Sequence, residues 1–176
     1  MNIRLETALV VPVPEAEILV APLRERHDPS AADGMPAHIT LLYPFISPSE
    51  IDDSVLAELR CCLKEFAAFP YLLGDLRRFP GHVLYLAPEP EEPFRKLTSA
   101  IHRCFPRTPP YGGKHRDIVP HLSLGQFVDA RELEDATRAF ARAAAADLPI
   151  TAKASSVSLM DTSFGDWRVR ASFALP

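Results

Sequence analysis

The sequence predicts an α+β fold in two similar lobes related by a pseudo-two-fold axis. Three observations predict it. Short apolar runs alternate with stretches whose apolar residues recur every three or four positions, so strands and helices are interleaved. The order helix, loop, strand, helix, strand, strand occurs twice in succession. Each occurrence carries a histidine motif in its first strand, and the two motifs lie close to half the chain apart.

The elements follow in order. Leu5 to Val13 is an apolar, valine-containing run and reads as a first strand, and Glu15 to His27 as a helix with Pro22 inside it. Pro29 to Pro36 has loop composition, and His38 to Phe45 is a strand. Ser47-Pro48-Ser49-Glu50 predicts a helix start, with Ser47 as N-cap and Glu50 closing a capping box. That helix is expected to reach about Phe69, because Ile51, Val55, Leu59, Leu63 and Phe66 share one face. Tyr71 to Phe79 and His82 to Ala87 form two strands around a Pro80-Gly81 turn. Glu91 to Cys104 is a helix presenting Phe94, Leu97 and Ile101, and Thr108 to Asp117 is a loop. Ile118 to Phe127 is a strand and Asp129 to Ala146 an alanine-rich helix. Ile150 to Met160 and Trp167 to Leu175 are the last two strands, joined around Gly165-Asp166. The whole chain, residues 1–176, is expected to form one two-lobed domain, each half of the chain carrying one histidine motif.

Composition narrows the function. Hydrophobic residues make up 47% and charged residues 24% of the 176, which supports a packed core and excludes wholesale disorder. The 18 prolines favour short connections. No apolar run is long enough to span a bilayer, and Met1 to Pro14 lacks the order of a secretory signal, so a cytoplasmic protein with no membrane partner is expected. Cys61, Cys62 and Cys104 fit neither a disulfide framework nor zinc-ligand spacing and read as reduced structural thiols. A net charge of −4 argues against wrapping long nucleic acid but permits a small nucleotide or an RNA end. A monomer is expected.

The motifs are His38-Ile39-Thr40-Leu41 and His121-Leu122-Ser123-Leu124. In a strand, alternate side chains share a face, so His38 joins Thr40 and His121 joins Ser123, with the aliphatic residues on the opposite side. Chance supplies roughly 0.13 such histidine-apolar-hydroxyl-apolar matches in a sequence of this composition, so a matched pair is informative. Two facing imidazoles suit cleavage of a phosphodiester without a metal. One takes a proton from the nucleophile and the other gives one to the leaving oxygen, both near neutral pH. Thr40 and Ser123 would donate to non-bridging phosphate oxygens. With two motif histidines and no carboxylate at ligand spacing, a metal site is not expected.

The paired His-x-Thr/Ser motifs in two similar lobes resemble the two-histidine (2H) phosphoesterase superfamily, in its 2′-5′ RNA ligase-like branch, which includes RNA 2′,3′-cyclic phosphodiesterases. The likeness extends over most of the chain in element order, with the specific identities in Ala37 to Phe45 and Pro120 to Phe127. It implies antiparallel sheets flanked by helices and a central cleft holding His38, Thr40, His121 and Ser123, with no metal or other cofactor. It also implies a substrate that is an RNA end or a small cyclic nucleotide, opened by hydrolysis, with 2′-5′ joining as the reverse-type reaction. A cleft that binds RNA or nucleotide without turnover is the alternative. The sequence leaves open which histidine is acid and which base.

Secondary candidates surround the motifs. Lys114, His115 and Arg116 form a basic cluster ahead of the second motif, either closing over phosphate or simply solvated. Tyr43 falls on the aliphatic side of its strand, so packing is expected for it, and packing is expected for Phe127 too; Phe79 and Trp167 are read as core ahead of cleft wall. Arg77 and Arg78 must point to opposite faces, so one of them could reach a phosphate.

Overall fold

The computed structural model describes residues 5–114 and 117–176. Its eight strands form two four-stranded antiparallel sheets. The first has the order β2-β1-β7-β8, from His38–Leu42, Thr7–Pro12, Ser156–Asp161 and Arg168–Ala174. The second has the order β5-β4-β3-β6, from Leu122–Gln126, Val83–Glu89, Phe69–Phe79 and Ile150–Ala154. Each motif strand is thus an edge strand in the equivalent place of its sheet. The sheets do not divide the chain at its midpoint, however: the first is built from the two ends of the chain and the second from its middle.

Five helices fill the connections: α1 (Glu17–His27), α2 (Pro29–Ala32), α3 (Asp53–Leu63), α4 (Glu92–Cys104) and α5 (Ala130–Ala143). The two helices that precede the motif strands cross over. α1 packs against β5, and α4 packs against β2. Gly125 makes the first crossing possible, since a Cβ there would lie 2.5 Å from the Cβ of His27. α4 is amphipathic in the predicted sense, with Phe94, Leu97 and Ile101 fully buried. The main core runs between the sheets and these helices and includes Leu9, Val11, Ile39 and Leu41 from one sheet and Leu84, Leu86, Leu122 and Leu124 from the other.

Local chemistry explains where the elements depart from expectation. The capping box at Ser47 does not form: Ser47 makes no capping bond, and Pro48–Glu50 is a single 3-10 turn. Asp52 caps α3 instead, accepting from the Val55 N–H at 3.0 Å. That helix stops at Leu63, because the chain from Phe69 is already paired with β4 and β6. Asp129 caps α5 by accepting from the N–H groups of Arg131 and Glu132, each at 2.9 Å. The predicted strand Ile150 to Met160 is two strands. It breaks at Ser155, whose carbonyl accepts from Leu175, and its halves join different sheets. The Pro80-Gly81 turn forms as expected and extends to His82, with φ of 84° at Gly81 and 62° at His82. No helix among the described residues is long and apolar enough to cross a membrane.

Candidate active site

The two motifs have matching geometry. From His38 and from His121 the burial runs half-buried, buried, half-buried, buried, buried over five residues. Ile39 and Leu41, like Leu122 and Leu124, are in the core, while each histidine and its hydroxyl partner share the other face. The Nδ1 of His38 lies 2.7 Å from the Pro36 carbonyl, and the Nδ1 of His121 lies 2.8 Å from the Val119 carbonyl. A carbonyl only accepts, so in each ring Nδ1 carries the proton and donates. Nε2 is then the nitrogen left to exchange a proton with a substrate.

The motif strands β2 and β5 pack against each other, and His121 is among the groups whose charge is felt at His38. Burial pushes His38 down, to about 4; the Pro36 carbonyl pulls it back, Arg24 and His121 push it further down, and Asp28 opposes them. Burial also lowers His121, against the bond to Val119. Both imidazoles are therefore neutral in the free protein at pH 7.

The surroundings of the two rings differ. Arg24, 1% exposed, bonds Asp28 Oδ2 at 3.1 Å and the Met35 carbonyl at 3.1 Å, which places a buried ion pair beside His38. His121 is flanked by aromatic rings, Phe79 edge-on at 4.9 Å and Tyr85 at 5.5 Å, which stack on each other at 4.1 Å. A cavity of about 360 Å³ opens on this side, bounded by Phe79, Pro80, Val83, Tyr111, His121 and Ser123 among others. Its size suits a ligand of nucleotide dimensions.

The other sequence candidates divide. Phe79 is a wall of the cleft and not a core residue, because β3 presents it on the side of His121. Phe127 is buried as expected and stacks on His27. Tyr43 and Trp167 pack on Ala8, Val10, Met35 and Met160. Val10 pairs with Thr40, so this small cluster lies on the motif side of the first sheet; Tyr43 is on that side and not with Ile39 as alternation predicts, because a bulge in the pairing with β1 buries Leu41 and Leu42 in succession. Arg77 aligns with Tyr85, and Tyr85 with Ser123, so Arg77 is the arginine on the cleft side; its guanidinium is held by Asp75 at 2.7 Å and Glu91 at 3.2 Å. Arg78 points away to Glu134. Lys114 is exposed and does not line the cavity. His115 and Arg116 lie outside the described residues.

Two residues near the motifs were not singled out from sequence. Arg24 carries a weak signal, the four-residue spacing to Asp28 at a helix end. Tyr111 carries none, because its partner Thr40 is far away in the chain.

Comparison with known proteins gives the same frame. The fold matches Escherichia coli LigT complexed with NADP+, at 17% identity over 97% of each chain with a TM-score of 0.62. It also matches TT0787 of Thermus thermophilus, at 18% identity over 97% of each chain with a TM-score of 0.61. Among curated relatives, a "Putative phosphoesterase" of Geobacillus kaustophilus is 29% identical over 115 residues, 64% of this chain and 63% of the relative. One from Bacillus mycoides is 31% identical over 64% of each chain. The match thus spans somewhat under two thirds of these relatives' length. The family model of the 2′-5′ RNA ligase superfamily covers residues 11–166, both motifs included. The chain belongs to the 2′-5′ RNA ligase superfamily of two-histidine phosphoesterases.

Proposed function

We propose that the protein is a metal-independent phosphodiesterase that hydrolyses 2′,3′-cyclic phosphates on RNA ends or small nucleotides. The observation that carries this reading is the matched pair of histidines, each tied through Nδ1 to the carbonyl two residues before it, on strands that pack together. LigT has been seen with NADP+ and with 3′-AMP, which supports a nucleotide-sized substrate here.

The cavity suggests how the roles divide. It lies on the His121 side, so a nucleoside lodged there brings its ribose oxygen toward His121. His38, held down to about 4, is the neutral partner. In this reading His38 Nε2 takes a proton from water as the water oxygen bonds to phosphorus. The bond from phosphorus to the ribose oxygen breaks, and His121 gives its proton to that oxygen. The product is a phosphate monoester. Thr40 and Ser123 donate to the non-bridging oxygens as their charge grows. The substrate's own charge raises the affinity of His121 for the proton it must carry.

The test is ring opening of a panel of nucleoside 2′,3′-cyclic phosphates and of an RNA bearing a cyclic end, followed by phosphorus NMR with chelator present. Turnover is expected, and it disappears in His38→Ala and in His121→Ala. Binding without turnover by folded protein would make this a recognition module, and activity surviving in both variants would remove the histidines from the mechanism.

A further inference from the structure

The segment between α4 and β5 contains Pro109-Pro110-Tyr111-Gly112-Gly113. Three consecutive residues there have positive φ: 52° at Tyr111, 62° at Gly112 and 75° at Gly113. Glycine adopts this conformation freely, but a tyrosine does so only where its surroundings hold it. Two contacts hold it. Its N–H donates to the Tyr43 carbonyl at 2.6 Å, just beyond β2, and its phenol oxygen faces the Thr40 hydroxyl, which acts on it as a donor does. The same side chain bounds the cavity that holds His121 and Ser123. Tyr111 therefore reaches both motifs, facing the hydroxyl of one and the cavity of the other. Burial pushes its phenol up, to about 12, so it remains a neutral O–H donor throughout the working range.

We infer that Tyr111 is a third hydroxyl of the phosphate site, which positions Thr40 before substrate binds and then donates to a non-bridging phosphate oxygen alongside Thr40 and Ser123. This rests on the phosphodiesterase reading above. A strained backbone at a residue joining the two motifs is the kind of feature that function, and not packing, retains.

The test is Tyr111→Phe, which keeps the ring and the backbone bond to Tyr43 and removes only the hydroxyl; retention of the fold is checked by circular dichroism. The expected result on a nucleoside 2′,3′-cyclic phosphate is a fall in kcat of about tenfold to a hundredfold, with KM changed by less than about threefold, as for loss of one oxyanion donor. The pH limbs of the profile stay in place, because the imidazoles are untouched. Thr40→Val and the double variant complete a cycle in which the two losses are strongly less than additive. Unchanged kcat in Tyr111→Phe overturns the inference, as does full additivity with Thr40→Val, since Tyr111 would then not act with Thr40. If wild-type protein itself fails on every cyclic phosphate, the phosphodiesterase reading falls and takes this inference with it, an outcome no Tyr111 variant can mimic.

Discussion

The two motif sites share a backbone and differ in what surrounds it. Both place histidine and hydroxyl on one face of an edge strand, and both fix Nδ1 on a carbonyl at nearly the same distance, 2.7 and 2.8 Å. Yet His38 has the buried Arg24–Asp28 pair for a neighbour, and His121 has Phe79, Tyr85 and the cavity. The duplicated motif sets two imidazoles in equivalent poses. Under the proposed phosphodiesterase reading acid and base must nevertheless behave differently, and the difference would come from residues outside the motifs.

The largest effect should come from breaking that division of labour. His38→Ala and His121→Ala are each expected to lower kcat by ~10²–10⁴ on a natural cyclic phosphate. A diester with a p-nitrophenolate leaving group needs no proton on departure. On that substrate His121→Ala should recover most of its activity relative to wild type, while His38→Ala should not. Parallel steady-state kinetics on the two substrates checks this. Recovery by His38→Ala instead would exchange the roles, and equal losses would mean the surroundings do not differentiate the rings.

Much of this comparison was legible in the sequence, for a physical reason. The motif residues are contiguous, and strand alternation converts their spacing directly into a shared face. The turn at Pro80-Gly81 is equally local. What escaped depends on residues distant in the chain. In Ile150 to Met160 the apolar positions switch from even to odd across Ser155-Ser156, a slip that a bulge within one strand would show equally; the bond from Leu175 to the Ser155 carbonyl and the two partner sheets make it a division between strands. Ser47 has the chemistry of a cap, but Ile51 is extended (φ −80°, ψ 103°) and buried, so the helix begins after Asp52. The same holds for Tyr111 and Arg24: their site is assembled by folding and leaves no local pattern. Phe79 was misplaced for a related reason, since an aromatic in a strand looks the same whether its face meets core or cleft.

A middle-sized effect concerns pH. His38 is held below its ordinary value, to about 4, and His121 is lowered as well, so the unfolded chain binds more protons than the native one at mildly acidic pH. Stability is thus fully present above about pH 6.5 and declines as pH falls below it, by up to ~1.4 kcal/mol per pH unit for His38 down to about pH 4, with His121 adding in the same direction. Chemical denaturation at pH 7, 6 and 5 should show the decline, and His38→Gln should reduce its slope. The kinetics should carry the same sign. The optimum of kcat/KM, which reports the free enzyme, should lie on the acid side of the optimum of kcat, because bound phosphate raises the imidazole that must be protonated. Coincident optima would mean that the substrate's charge does not reach the pair.

The smallest effect isolates the aromatic side. Phe79→Leu removes a ring that stacks on Tyr85 at 4.1 Å and meets His121 at 4.9 Å, and it leaves the surroundings of His38 intact. Loss of the aromatic pairing should cost about 0.5–1.5 kcal/mol, a drop in Tm of a few degrees for a chain of this size. The second consequence discriminates more sharply. Burial is the main cause that lowers His121, so admitting water where Phe79 stood should let His121 titrate higher while His38 stays where it is. Proton NMR titration of the two Cε1–H resonances, assigned with the alanine variants, reads both rings in one experiment. Movement of His121 alone would show that the two sites are tuned separately by their own neighbours. Equal movement of both would mean that the rings titrate as a coupled pair across the cleft, with the proton belonging to the pair and not to either motif.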